Sequence, residues 1–378
     1  WAEAGWEEPQ WFDSNADLLA EYGDRIPDRD GWAGKYWSPI EGAEALHVRN
    51  AVGLHDMTSF NKVEIVGEGA GEFVQHLCTN DMDLDVGQVR YTLMCNEGGG
   101  VRADITVTRL DYDRYLVLTT GREVGSNHVA WIRDRAPADV VVNDVTSHLA
   151  AMVCTGPDAR NVLSKVTDAD LSNDGFPYFT SQQLFVKNVP VTALRVSYAG
   201  ELGWELYTRS EYGETLWEHL MDAGEEYDIR PYGNGALDSL RIEKGFRLWG
   251  EDLHTEHNPY ETDLGFAVDL DTEFVGREAV AAAAEGENIA HKVAPLTLDD
   301  DEAVVLAHRP VLSGEDVLGY VHSAEYGYTV GRCVAYAYLP PEYAEPGTEV
   351  AVEYEGDRYA ATVREEPLYD PDNERPLM

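Results

Sequence analysis

The run Asn96-Glu-Gly-Gly-Gly-Val-Arg-Ala-Asp104-Ile-Thr-Val107 decides most of what this sequence says about its fold. A glycine-rich turn feeds a strand, and one Asp stands among its apolar residues. A carboxylate at the start of a buried strand needs donors to replace water. Asp104 either bonds a local backbone amide or is held there for chemistry. Residues 101–109 and 114–120 read as two strands joined by a tight connection, a hairpin. Working outward, 61–66 reads as a strand. Residues 69–77 form a helix with Phe73, Val74 and Leu77 on one side, and 43–52 another helix. Downstream come a helix at 124–133, strands at 140–145 and 150–154, and a helix opened by Pro157 and running to about 166. Strands at 184–186, 191–197 and 204–208 follow. Next come an amphipathic helix at 211–223, with Leu216, Trp217, Leu220 and Met221 inward, and a helix at 233–246. Two βαββ-like blocks within 60–225 hint at a structural repeat without a sequence repeat.

A second run, Tyr198-Ala-Gly-Glu201-Leu-Gly-Trp204-Glu205-Leu-Tyr207, is a strand end, a glycine turn and the next strand. Residues 204 and 206 face one way, 205 and 207 the other. Glu205 is thus out of phase with the apolar Trp204/Leu206 face. A carboxylate held there can accept two parallel N–H bonds from a planar amidine-like edge, such as a 2-aminopyrimidinone. The plain alternative is an exposed hairpin Glu. A third run, Asp238-Ser-Leu-Arg241-Ile-Glu243-Lys244-Gly-Phe246-Arg247-Leu-Trp249, is a helix end followed by an aromatic loop. Its charges could simply pair along the helix. His254-Thr-Glu-His257 offers two imidazoles three apart, but the segment ends at Pro259 without a third ligand. A metal is not expected there. Asp299-Asp-Asp301-Glu302 reads as solvated loop.

Composition sets the outer bounds. The 378 residues carry 28 Lys and Arg against 70 Asp and Glu, a net charge of −42. Hydrophobic residues make up 44%, with 9 Trp and 21 Tyr, so the chain can build a core. Such length suggests at least two domains. The charge argues against nucleic-acid binding and against an anionic membrane surface. Only six of the basic residues are lysines (35, 62, 165, 187, 244 and 292). A Lys-poor, acidic surface on an ordinary core fits a halophilic protein, kept soluble in concentrated salt. Cys78, Cys95, Cys154 and Cys333 form no C-x-x-C pair and read as buried thiols of a reducing cytoplasm. No signal peptide, long apolar run, Rossmann fingerprint or P-loop is read in these residues. The start at Trp1 reads either as a trimmed chain or as part of a longer polypeptide. Residues 1–40 are irregular, with Trp1, Trp6, Trp11, Phe12, Trp32, Tyr36 and Trp37 interrupted by Pro9, Pro27 and Pro39. They read as an arm packed on a neighbour. Residues 279–289 pass from helix into linker. Beyond them, short runs at 293–298, 317–323, 333–339, 348–354 and 357–364 alternate with turns, a small all-β barrel. Glu355-Gly356 has the character of a two-residue hairpin loop.

These pieces occur together in one family. Val52-Gly-Leu-His-Asp56-Met57-Thr-Ser-Phe60, Tyr91-Thr-Leu-Met94, Asn96-Glu-x-Gly-Gly, the 198–205 run and Asp238-Ser-Leu-Arg-x-Glu243 together resemble the folate-dependent aminomethyltransferase (glycine-cleavage T-protein) family. The resemblance covers about residues 40–378. It is nearer to the C-terminal half of dimethylglycine and sarcosine dehydrogenases, on Gly5-Trp-Glu-x-Pro-x-Trp11-Phe, Glu243-Lys-Gly-Phe-Arg-Leu-Trp-Gly250 and Pro367-Leu-Tyr-Asp-Pro371.

The resemblance implies an α+β fold with an aromatic junction at 1–40. A folate-binding domain at 41–285 and a C-terminal β-barrel at 286–378 follow. It implies tetrahydrofolate as cofactor, with FAD only on a separate or upstream domain and a flavin-dependent oxidase as partner. Asp104 matches the catalytic aspartate, Glu205 the carboxylate that grips the pterin edge, and Tyr198 a tyrosine of that pocket. Tyr91 and Trp249 match its walls. The implied reaction captures a formaldehyde equivalent from N-methyl amine oxidation as 5,10-methylenetetrahydrofolate. Its rivals are glycine-cleavage-type transfer, folate-dependent demethylation and a non-catalytic folate-binding module. Leu237 and Thr119-Thr120 stand where aminomethyltransferases proper carry Arg and Asn. That sets the chain apart from ammonia release and a lipoyl-protein partner. Phe246 after Lys244-Gly245 departs from the Lys-Gly-Cys of the iron–sulfur maturation branch.

Overall fold

The computed structural model describes residues 2, 3 and 5–378; Trp1, counted above with the aromatic arm, lies outside the described residues. The arm begins as a two-strand ribbon, β1 (Ala2–Glu3) against β2 (Trp6–Glu7). Helical turns follow at Asp13–Leu18, α1 (Leu19–Tyr22) and Gly23–Arg25, so the arm is less irregular than its prolines suggest. Its neighbour is its own chain. The Asn15 side-chain amide donates to Glu44 and to the Pro231 carbonyl, both at 2.7 Å. Leu18 and Tyr22 are buried with the next helix.

That helix, α2 (Pro39–Asn50), starts at a Ser38 cap, whose hydroxyl accepts the Ile40 amide at 3.3 Å, with Pro39 in the first turn. Residues 40–49 are buried on every side. No polar face marks the true start, which is why the apolar pattern places it at 43. β3 (Gly53–Asp56) leads into two units of identical order.

The first unit is β4 (Phe60–Val66), α3 (Ala70–Leu77), β5 (Val89–Cys95), β6 (Val101–Asp111), β7 (Arg114–Gly121), α4 (Arg122–Arg135) and β8 (Val141–Asp144). The second is β9 (Leu149–Thr155), α5 (Ala159–Leu163), β10 (Ser181–Val186), β11 (Val189–Leu194), β12 (Gly203–Arg209), α6 (Gly213–Gly224) and β13 (Arg230–Pro231). The sheets run β5-β6-β7-β4-β8 and β10-β11-β12-β9-β3-β13. Apart from the inserted β3, the two orders correspond strand for strand. The suspected repeat is thus real in topology. Three expectations shorten. The helix expected at 233–246 ends at Glu243. The helix expected to run to 166 is α5, ending at Leu163. The strand expected at 191–197 ends at Leu194; beyond it the Arg195 amide and carbonyl bond Thr180 and Phe179, and Phe179 lies in left-handed backbone, which breaks the ladder.

Each sheet packs its helices on one face and the other sheet on the other. Ala103, Ile105, Val107, Tyr115 and Val117 join Phe73 and Val74 of α3 and Ile132 of α4. Trp204 and Leu206 join Leu216 and Leu220 of α6. Between the sheets, Leu116 and Leu118 of β7 meet Ala151 and Val153 of β9, Leu194 of β11 and Tyr207 of β12.

Two further helices, α7 (Asn234–Glu243) and α8 (Arg277–Ala284), lead to the last domain. It is a closed barrel of β14 (Lys292–Leu298), β15 (Pro310–Ser313), β16 (Asp316–Gly327), β17 (Arg332–Leu339), β18 (Glu349–Tyr354) and β19 (Asp357–Val363). The sequence reading finds five of these strands. It misses β15, four residues opened by a proline. Tyr354 pairs with Asp357 across Glu355-Gly356, both in left-handed backbone, as the expected two-residue turn requires. The barrel interior is continuous with the buried faces of α2 and α7. Among the described residues no helix is long and apolar enough to cross a membrane. All four cysteines are free and buried.

Candidate active site

The glycine turn sets the position of Asp104. The Asn96 amide donates to the Gly100 carbonyl at 2.9 Å, and its side-chain oxygen accepts the Gly98 and Gly100 amides at 2.9 and 3.0 Å. A Cβ on Gly100 would fall 2.0 Å from the Thr255 carbonyl oxygen, so glycine lets the 251–258 loop lie against the turn. The Val101 amide then donates to the His257 carbonyl at 2.8 Å. Three residues on, Asp104 stands opposite Leu93 of β5. Strand alternation puts it on the face of Thr106 and Thr108, whose partners Leu118 and Leu116 line the space between the sheets.

Glu205 reaches that space from the other wall. It lies opposite Leu194 on β11 and Val153 on β9, and it shares the inward face with Tyr207. Trp204 and Leu206 point away into the helix-covered core, as the alternation predicts. The two carboxylates thus come from different sheets and face one interior.

Their partners are tyrosines. The Tyr91 hydroxyl donates to Asp104 Oδ2 at 3.3 Å. The Tyr207 hydroxyl donates to Glu205 Oε2 at 2.6 Å. Burial pushes Asp104 up to about 6, with Asp252 acting in the same direction and the Tyr91 bond opposing. Burial pushes Glu205 up to about 7 against the Tyr207 bond. Glu205 is buried, while Asp104 keeps a partly open edge.

Other buried carboxylates are satisfied in other ways: Glu44 by the Phe12 and Gly233 amides and the Asn15 side chain, and several by cations. Arg49 spans Glu201 at 3.1 Å and Glu243 at 3.0 Å, and Arg241 holds Asp252 at 2.6 Å. Among the described residues no cationic side chain stands in ion-pair contact with Asp104 or Glu205. Each is left able to accept hydrogen bonds from a ligand.

Tyr198 belongs with Asp104. Its hydroxyl donates to the Arg247 carbonyl at 2.8 Å and its ring stacks on Phe246 at 5.9 Å. Burial holds that hydroxyl well above the usual tyrosine range, and the nearby Asp104 charge acts in the same direction. Trp249 packs against the Leu93, Val101 and Leu253 cluster, as does Tyr91. Its ring meets His128 edge-on at 4.7 Å, and its indole N–H is buried without a hydrogen-bond partner. Asp104, Tyr91, Tyr198 and Trp249 therefore gather at one side, and Glu205 stands across from them.

Sequence reasoning missed three members. Tyr207 was legible in principle, since it follows Glu205 by two residues on one strand. Tyr178 was not. Burial and the Glu205 charge push its hydroxyl up to about 12. Asp252, which ties the 246–258 loop to α7 through Arg241, carries no local signal either. An open hollow of about 490 Å³ lies elsewhere, at the arm between Gln10, Trp11 and Trp37, and it brings no carboxylate to bear.

Chemically, one buried carboxylate poised near 7 can accept two N–H bonds from a flat heterocycle. A second near 6 can orient and deprotonate an amine at neutral pH. The tyrosine rings supply flat walls between which such a heterocycle can lie.

The family model described as the GCVT N-terminal domain matches residues 2–272, and that described as the glycine cleavage T-protein C-terminal barrel domain matches 291–370. The chain is 34% identical to the mitochondrial dimethylglycine dehydrogenase of Rattus norvegicus over 371 residues, which is 97% of this chain and 42% of that protein. It is 32% identical to the aminomethyltransferase of Bacillus mycoides (strain KBAB4) over 358 residues, covering 93% of this chain and 96% of that one. The crystal structure of the glycine cleavage system aminomethyltransferase T from Bartonella henselae superposes with a TM-score of 0.80 at 24% identity, over 94% of this chain and 97% of that one. The chain spans about two-fifths the length of the dimethylglycine dehydrogenases it matches.

Proposed function

The chain belongs to the glycine cleavage T-protein (aminomethyltransferase) family, and from that premise we propose that it is a tetrahydrofolate-dependent one-carbon transferase module. It takes up a formaldehyde equivalent released by oxidation of an N-methyl amine of the dimethylglycine or sarcosine type, giving 5,10-methylenetetrahydrofolate. The flavin that performs the oxidation belongs to a separate domain or chain. The observation that carries this reading is the pair of inward-facing carboxylates, Asp104 and Glu205, held by tyrosines and with no cationic partner among the described residues.

Tetrahydrofolate suits that pair, because its pterin edge is a planar donor array and its N5 is a nucleophilic amine. Bound tetrahydrofolate would supply N5 to take up the one-carbon unit. Glu205 accepts the two parallel N–H bonds of the 2-aminopyrimidinone edge, which fixes the ring in its plane. Tyr207, bonded to the other side of that carboxylate, holds its orientation. Asp104 hydrogen-bonds the reacting amine region and manages its proton. Tyr198 and Tyr91 confine the ring, and Trp249 backs them. Four reduced thiols fit a reducing compartment such as the cytoplasm.

The purified chain, given tetrahydrofolate and a donor, tests this. Asp104→Ala is expected to keep tetrahydrofolate binding and lose about 10²–10⁴-fold in transfer rate. Glu205→Ala is expected to weaken binding itself. A methyl-ether or sulfonium donor working in place of the iminium or formaldehyde would move the assignment to the demethylase reading. Full transfer by Asp104→Ala would refute its catalytic role.

A further inference from the structure

The two imidazoles of the 254–257 run do find a third partner, from the barrel. His254, His257 and His322 each place a ring nitrogen within 4.8 Å of the others. His254 and His257 sit on a non-helical loop, their rings 4.6 Å apart, and His322 projects from β16. The third ligand lies 65 residues beyond the second in sequence, which is why the linear reading finds none. We propose that this triad is a binding site for a first-row divalent transition ion of the zinc type, clamping the barrel to the loop beneath Asp104.

The donor chemistry is right for that class. Three neutral imidazoles leave one position for solvent, a common zinc arrangement. His322 Nδ1 donates to the Glu251 carbonyl at 2.9 Å, which leaves Nε2 as the lone-pair nitrogen. His257 Nδ1 lies 3.9 Å from a Glu261 carboxylate oxygen, and Glu261 is itself fixed by the Asn258, Ala290 and His291 amides. At that separation the carboxylate stands beside His257 in ion-pair range, one short step from the outer-shell hydrogen bond that orients a ligating histidine. Both rings are braced by aromatics, His257 against Tyr338 at 3.6 Å and His322 against Tyr320 at 4.4 Å. Three tetrahedral nitrogen ligands lie about 3.3 Å apart around zinc, given Zn–N near 2.0–2.1 Å. The remaining closure falls to His254. Its side chain is about a quarter exposed and its contact to the Glu256 amide is a long 3.4 Å, so its ring is held mainly by packing on His257 and His322.

An ion held there has a mechanical consequence. The same loop supplies the Thr255 carbonyl against Gly100 and the His257 carbonyl that takes the Val101 amide. Binding ties β16 to the base of the strand that carries Asp104. This proposal stands on the triad alone and does not depend on the folate reading.

The test uses the full chain without a histidine tag, dialysed against chelator and titrated with Co²⁺ and Zn²⁺. The expected result is one Co²⁺ per chain, with the visible absorption of a low-coordinate nitrogen site, and a thermal midpoint raised by Zn²⁺. Loss of an outer-shell partner alone costs about 10–100-fold in metal affinity, so His254→Ala should lose at least about 100-fold. His322→Asn should do the same. His308→Ala, an exposed histidine outside the triad, should bind as wild type. Failure of the wild-type chain to bind Co²⁺ one to one, or His254→Ala and His322→Asn binding as tightly as wild type, would overturn the site. Because the readouts are metal content, spectrum and melting, they stay separate from the transfer assay.

Discussion

Glu205 is costly to fold and useful once folded. Burial raises its carboxyl to about 7 from an ordinary 4.5. A raised carboxyl binds its proton more tightly in the folded state, so stability falls as pH rises from about 4.5 through 7. Above that window the chain carries the full penalty of an ionised, buried carboxylate, about 3 kcal/mol for a shift of this size. Glu205→Gln removes the titration. Melting curves should show it more stable than wild type at pH 8, with the gap closing below about pH 4.5. A gap that is constant with pH would mean that the carboxyl titrates normally. At this scale the sequence was informative where strand parity applies. The position of Glu205 out of phase with Trp204 and Leu206 could be read from alternation alone. Tyr178 could not, because it approaches from a loop about 27 residues upstream, and pairings of that kind leave no periodic trace.

Elements are joined by a buried charge network that no single helix reveals. Arg49 of α2 reaches the Ala199 and Leu240 carbonyls as well as Glu201 and Glu243, and the Tyr369 ring lies 3.9 Å from its guanidinium. Glu201 also takes the Tyr369 hydroxyl at 2.6 Å and Arg375 at 2.9 Å. The turn at 199–203, α2, α7 and the C-terminal segment thus meet at one guanidinium. Glu243 also accepts the Thr329 and Val330 amides, which docks the barrel. Simple pairing along the helix therefore describes only Arg241 with Asp238, at 3.5 Å. Arg49→Met would leave Glu243 buried without its cation and Glu201 with Arg375 alone. Denaturant unfolding should show a loss of about 3–5 kcal/mol, against little change if the network were dispensable. Helix α3 and the barrel strands β18 and β19 were legible because each has one buried and one open face. The start of α2 and the edge strand β5 were not. The first is buried all round and the second reads only as a motif.

For the whole molecule, −42 charges are a property of the coat more than of the site. Runs such as Asp299–Glu302 are exposed, and the carboxylates that matter for chemistry are few and inward. We read the coat as an adaptation to salt. The Debye length shrinks from about 30 Å at 0.01 M to about 3 Å at 1 M, so added salt relieves self-repulsion over the whole surface. The thermal midpoint should rise steadily as KCl is taken from millimolar to molar. A flat or falling curve would make the acidity incidental. The acidic excess also explains why composition alone said so little about the reaction. It takes the two facing sheets to separate Asp104 and Glu205 from the other acidic residues.

Calorimetric titration of tetrahydrofolate into the wild-type chain and into Glu205→Ala, at pH 8 where the carboxylate is ionised, tests the central claim most directly. Charge-assisted bonds are worth about 1.5–3 kcal/mol each, so losing them should weaken binding by at least about tenfold from a one-to-one wild-type isotherm. Equal affinity in the two proteins, or no binding by the wild-type chain, would contradict the placement of folate between the sheets.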